Sequence, residues 1–124
     1  MHTESLVARV GLVTCATAIV AGAFFTLPEY SSLRNTVSLL SGQHMPNAWI
    51  MQAGFLGYGL GCIGAAVPSF RRHALVSLGL IVFGLSLVGA GLWAAATPFD
   101  GMPPADMAED AWHSAFATGT GFGF

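Results

Sequence analysis

The sequence contains no lysine, and only 8% of its 124 residues are charged. An ordinary soluble domain carries about 25%. Four arginines set against six acidic residues make no basic stripe for a row of phosphates, so nucleic acid is excluded as a partner. The formal net charge of -2 and the 54% hydrophobic content exclude intrinsic disorder, which needs high net charge and few apolar residues. Cysteine is scarce as well. Cys15 and Cys62 follow neither a CxxC nor a Cys/His zinc spacing, and they read as small apolar residues. No phosphate-binding loop, haem motif or dinucleotide fingerprint occurs, so no cofactor and no metal is expected. Internal repeats and low-complexity tracts are missing too.

What remains is a chain built largely of hydrocarbon. Its charged residues are Glu4, Arg9, Glu29, Arg34, Arg71, Arg72, Asp100, Asp106, Glu109 and Asp110, and they leave uncharged stretches over 10–28, 35–70 and 73–99. A bilayer core needs roughly 20 apolar residues to be crossed as a helix. The sequence therefore predicts spans over 6–27, 48–67 and 74–96, the first two stopped by Pro28 and Pro68. Ala21-Gly22-Ala23 resembles a leader-peptide cleavage site, and Leu12-Val13-Thr14-Cys15 is a poor lipoprotein box. The apolar run nevertheless continues through Phe24 and Phe25, and the stretch reads as an uncleaved membrane helix. A fourth apolar stretch runs from Ala111 to Phe124, whose 14 residues would make about 21 Å of helix. The expectation is one all-α polytopic membrane bundle over 1–124: three full spans, a truncated fourth and a short interfacial helix between spans one and two.

Orientation follows from the cations. With the N-terminus cytoplasmic, Arg9, Arg71 and Arg72 lie inside and Arg34 alone outside, as the positive-inside rule prefers. His73 then joins the inner turn as a cap or a solvated group. Tyr30, Trp49, Trp93 and Trp112 fall near span ends on the outer side, like an interfacial belt. Within the spans, Gln52 is the only strongly polar side chain of the second. Small residues form helical faces: Gly11, Cys15, Ala18 and Gly22 in span one, Gly54, Gly57, Gly61 and Gly64 in span two, and Ser77, Gly84 and Gly91 in span three. Membrane helices pack closely at such residues, and the faces suit a tight bundle, a conduction path, a close dimer with a second copy of the chain, or further helices beyond its C-terminus.

Polar chemistry is confined to the outer connections. In 28–47, Tyr30, Leu33, Val37 and Leu40 share one face at helical spacing while Arg34, Ser38 and Ser41 share another, which predicts a helix at the interface or re-entering the bundle. Arg34 either snorkels to headgroups or serves as the cation of an outer site. Further on, Asp106-Met107-Ala108-Glu109 has the spacing of a capping box with Asp106 at the N-cap. A helix from Met107 then places Asp106, Asp110 and His113 on one face, with Glu109 one turn before His113. Acids in a first turn are explained by capping and the helix dipole. An ionisable His near the membrane is a functional candidate. Arg34, Asp110 and His113 are therefore the candidate polar cluster.

The segments Tyr30-Ser31-Ser32-Leu33-Arg34-Asn35-Thr36-Val37-Ser38-Leu39-Leu40, Pro46-Asn47-Ala48-Trp49-Ile50-Met51 and Gly54-Phe55, with Pro98-Phe99-Asp100 and the later His113, resemble a prokaryotic family called domain of unknown function 998. The resemblance implies a bacterial multi-pass membrane protein of about six helices, of which this chain would be the N-terminal half to two-thirds. It carries no activity with it. Two functional classes stand. One is a non-enzymatic binding, transport or scaffolding bundle in the plasma membrane, with the lipid bilayer as its partner. The other is a membrane-embedded hydrolase acting on lipid or headgroup, with Ser38, Asp100 and His113 converging as catalytic residues at the outer interface.

Overall fold

The computed structural model describes residues 2–122, and the side chains of all of these except positions 2, 4 and 122. Four α-helices make up the chain: α1 (His2–Phe24), α2 (Ala48–Ser69), α3 (Ala74–Leu92) and α4 (Met107–Phe122). A 3-10 helix, Val37–Ser41, stands between α1 and α2, and no strand occurs among the described residues. Three stretches, Ser5–Phe24, Ala48–Ser69 and Ala74–Leu92, are long and apolar enough to cross a membrane. At 16 residues, α4 would rise about 24 Å and stays short of a bilayer core. The expected end of that helix at Phe124 lies outside the described residues.

The helices alternate in direction, and each packs chiefly on its neighbour in sequence. The small-residue faces expected of spans one and two meet each other. Gly11 lies against Gly57 and Gly61, and Gly54 against Ala18 and Cys15. Backbone rather than side chain forms this seam: a Cβ on Gly11 would fall 2.8 Å from the Gly57 carbonyl oxygen. On its other side α2 meets α3 in the same way. A Cβ on Gly84 would lie 2.6 Å from the Gly59 carbonyl oxygen, and a Cβ on Gly59 equally close to that of Gly84. Gly91 sits on Phe55, and Ser77 and Gly84 are buried as their spacing implied. Lipid tails are as apolar as Leu, so this close approach is what gives the helices a reason to associate. Cys15, Cys62, Met51, Phe55, Phe83 and Leu87 fill the core between them, and both cysteines are free thiols.

Helix ends depart from the sequence expectation in instructive ways. α1 stops at Phe24, three residues early, because Leu27 precedes a proline and disfavours helical backbone. α2 runs one residue past Pro68, where a missing N–H affects only the final turn. α3 stops at Leu92 instead of Ala96, and Trp93 turns to extended backbone.

The helix expected over 30–40 takes a different form. Residues 31–35 close into a turn in which the Ser31 N–H donates to Asn35 Oδ1 (2.9 Å) and the Arg34 and Asn35 N–H groups donate to the Ser31 carbonyl (3.0 and 2.8 Å). Short polar side chains here compete with helix formation. The supposed apolar face is split: Leu33 is 98% exposed, whereas Leu40 is 2% exposed and lies against Gly22.

The Gly59–Gly84 contact makes a direct prediction. Gly84→Ala forces two backbones apart and should lower stability by about 1–3 kcal/mol, the usual cost of overpacking. Gly121→Ala, where nothing lies within 4 Å of the new Cβ, should leave the thermal midpoint in detergent unchanged or slightly raised. Equal midpoints for both variants would show that α2 and α3 do not meet at these glycines.

Candidate functional site

At the end of the bundle where α1 and α3 finish and α2 and α4 begin (the distal end), the chain leaves helical geometry in the segment 93–97. Ala94 and Ala95 are nonetheless buried. Helix C-termini leave carbonyls without intrahelical partners, and extended backbone adds unpaired N–H groups. The first turns of α4 supply the missing partners. Glu109 Oε1 accepts from the Ala94 N–H (2.9 Å) and Asp110 Oδ1 from the Ala96 N–H (2.7 Å). His113, 4% exposed, places Nδ1 3.0 Å from the Ala90 carbonyl oxygen and 2.8 Å from that of Trp93. Both partners are acceptors, so Nδ1 carries the proton and donates. Trp93 stacks on Phe116 with ring centroids 5.2 Å apart, and Trp112 flanks the pair.

From the other side comes Gln43, 6% exposed. Its amide nitrogen donates to the Ala94 carbonyl (3.1 Å) and to that of Asp106 (2.8 Å), and its amide oxygen accepts from the Asp106 N–H (2.7 Å). Its own N–H donates to the Ala95 carbonyl (2.9 Å), and its carbonyl accepts from Thr97 Oγ1 (3.2 Å). One residue thus joins the α1–α2 connection, the end of α3 and the start of α4. Asn47, in left-handed backbone, adds a tie from Nδ2 to the Phe25 carbonyl (2.8 Å).

Asp106 caps α4 as expected, its Oδ1 accepting from the Ala108 (2.9 Å) and Glu109 (3.1 Å) N–H groups. The reciprocal half of the capping box is replaced. Glu109 reaches across to Ala94, and Gln43 takes the Asp106 N–H instead.

Among the other residues singled out from sequence, Asp110 and His113 come together on the end of α3, while Arg34 is exposed and makes no ion pair among the described residues. Ser38 is half-buried, with its carbonyl accepting from Ser41 Oγ (3.1 Å), and Asp100 is exposed on a turn. No hydrogen bond joins any two of Ser38, Asp100 and His113 among the described residues. No three His, Cys, Asp or Glu side chains there are grouped to hold a metal ion. Gln43 had no pattern to mark it, being a lone amide in a connection.

Beside this network lies a cleft of about 500 Å³. Gln43, His44, Gln52, Asp106 and Glu109 supply its polar lining, and Gly42, Ala48, Ala94 and Pro104 complete the wall. Glu109 and Asp106 each spend one carboxylate oxygen on backbone and keep the other. Gln52, the polar side chain of the second span, has no hydrogen-bond partner among the described residues. The cleft therefore offers free acceptors and an uncommitted amide beside the hydrogen-bonded network of Gln43, Asp106 and Glu109.

Gln43 provides the sharpest test of the network. Gln43→Leu leaves the Ala94 and Asp106 groups unpaired at about 1–3 kcal/mol each. Gln43→Glu, although isosteric, sets a carboxylate against two carbonyls and should destabilise at least as much. Thermal unfolding in detergent measures both, and faster amide exchange over 94–106 should accompany the loss. A Gln43→Glu protein as stable as the parent would refute the bonding pattern.

Comparison with curated proteins and with solved structures gives no match. The family described as "Protein of unknown function (DUF998)" matches over residues 7–124, nearly the whole chain, a range that includes the three helices able to cross a membrane. The chain belongs to this family.

Proposed function

We propose that this membrane protein is a non-enzymatic, multi-pass bundle of the bacterial plasma membrane whose distal cleft binds a small polar ligand on the outer side. The cleft carries the reading: about 500 Å³, lined by Gln43, His44, Gln52, Asp106 and Glu109 at the end of helices otherwise designed for lipid. An unpaired amide on a membrane helix is costly without a partner, and a ligand or water in the cleft provides one. Free carboxylate oxygens favour ligands that donate hydrogen bonds or carry an amine. The hydrolase alternative, through Ser38, Asp100 and His113, ranks second because His113 is committed at Nδ1 to the end of α3 and no hydrogen bond links it to the other two.

Charge supports the orientation. Arg9, Arg71 and Arg72 belong to the half of the bundle opposite the cleft, and the acids Asp100, Asp106, Glu109 and Asp110 cluster at the cleft end. A partner helix has a place as well. Ala108, Ala111, Ala115 and Thr118 are all exposed at spacings of three, four and three along α4, a small-residue face suited to a second copy or to further helices of the family.

Two measurements test this reading. A membrane-impermeant maleimide applied to intact cells should label Gly101→Cys and spare Arg72→Cys, both native cysteines being buried; the opposite pattern reverses the orientation. For the cleft, a panel of small amines, polyols and headgroup analogues such as phosphoethanolamine should contain a compound that raises the thermal midpoint, by about 2.7 kcal/mol of stabilisation at a hundredfold excess over Kd. Gln52→Leu should abolish the shift while keeping the unliganded midpoint. A shift that survives Gln52→Leu, or no shift with any compound, overturns the binding site.

A further inference from the structure

Leu33 and Arg34 form a second feature, separate from the cleft. The turn that carries them is closed by its own bonds: Ser31 N–H to Asn35 Oδ1, Leu33 N–H to Ser31 Oγ (3.4 Å), and Arg34 and Asn35 N–H to the Ser31 carbonyl. Ser31 and Asn35 spend their side chains inward. Ser32, Leu33 and Arg34 are left pointing out, and Leu33 at 98% is the most exposed of the large apolar side chains described. A fully bared Leu in a bonded turn, next to a cation with no counter-charge, is an amphipathic tip without a partner among the described residues.

The height of the tip is also bounded. Leu40 lies against Gly22, Asn47 Nδ2 holds the Phe25 carbonyl, and the Tyr30 N–H closes a turn on the Leu27 carbonyl (3.0 Å). Leu40 and Asn47 thus tie the far half of the connection back to the end of a membrane-crossing helix, while its near half leaves that helix directly through the 27–30 turn. Headgroups extend roughly 5–8 Å beyond the hydrocarbon on each side. A tip that follows the end of α1 by about ten residues, with the connection folded back on that end, is within reach of this layer.

We propose that the Leu33–Arg34 turn is a lipid-engaging tip, in which Leu33 enters the acyl boundary of the distal leaflet and the Arg34 guanidinium binds a phospholipid phosphate. The chemistry fits the pair. Leu gains by leaving water at the interface. Arg34 presents a planar fork of donors that matches a phosphate in bidentate fashion, on the face of the bundle where the other charged residues, Glu29 and the four acids of 97–110, are repelled by it. With the chain already in the bilayer, no further translational freedom is lost when the tip engages.

The test uses the full chain in vesicles of phosphatidylcholine and phosphatidylglycerol, with an environment-sensitive fluorophore on Ser32→Cys, which keeps both tip residues. The expected result is blue-shifted emission, quenching by a lipid carrying a quencher near its headgroup, and little quenching by aqueous iodide. Adding Leu33→Ser and Arg34→Glu should shift the emission to the red and restore iodide quenching, with an unchanged thermal midpoint because both side chains are exposed and the turn's bonds involve only their backbone. Iodide quenching that is equal with and without those two substitutions overturns the proposal. So does a fluorophore shielded from both quenchers, which would place the tip in a protein contact.

Discussion

A buried stretch of backbone that abandons helical geometry must find partners for the peptide groups that water cannot reach. In this chain the requirement falls on residues 93–97, and the distal end is organised around meeting it. Glu109, Asp110 and His113 are aimed at that segment from α4, and Gln43 reaches it from the preceding connection. Charged residues so placed are structural first. A carboxylate that accepts from backbone N–H groups in a dry setting makes a stronger bond than a neutral acceptor would. His113 similarly stands in for the C-terminal cap that α3 lacks in its own sequence. The cleft is a by-product of this bracing: its floor is the network, and its free valences are those the network does not use.

Below that end, cohesion has a different source. Water-driven burial cannot draw helices together in lipid, so contact has to come from shape. The paired approaches of Gly11 to Gly57 and of Gly59 to Gly84 bring backbone against backbone over two successive interfaces. α4 joins by a mixed device, its Phe116 ring seated over Gly89 and its Gly119 over Ser86. The bulk of the apolar side chains on α1 are left to the lipid, Leu12, Val13 and Val20 among them.

Sequence alone carried the three spans, because absence of charge over some twenty residues has few other meanings. It also carried the faces on which α1 and α2 meet, since helical spacing decides which small residues share a side. The N-cap role of Asp106 was legible for a local reason: its partners are two and three residues away. The second half of the same box failed for the opposite reason. Glu109 chose a partner fifteen residues back in the chain, which no local rule sees. Gln43 was invisible on the same account, its amide bonds reaching 51 and 63 residues ahead. Of the helix expected over 30–40 only the 3-10 helix Val37–Ser41 forms, because periodicity counted Leu33 as apolar without weighing the competing side-chain bonds of Ser31 and Asn35.

The caps of α3 have a further implication for how the bundle assembles. Asp106, Glu109, Asp110 and His113 all follow α3 in the chain, so until α4 docks the carbonyls of Ala90 and Trp93 lack the His113 donor that serves them in the folded protein. Gln43 precedes α3 and can hold Ala94, Ala95 and Thr97, but it lacks its two bonds to Asp106 until that residue arrives. The third span is therefore completed only when the fourth helix docks on it, and α4 acts as its keystone.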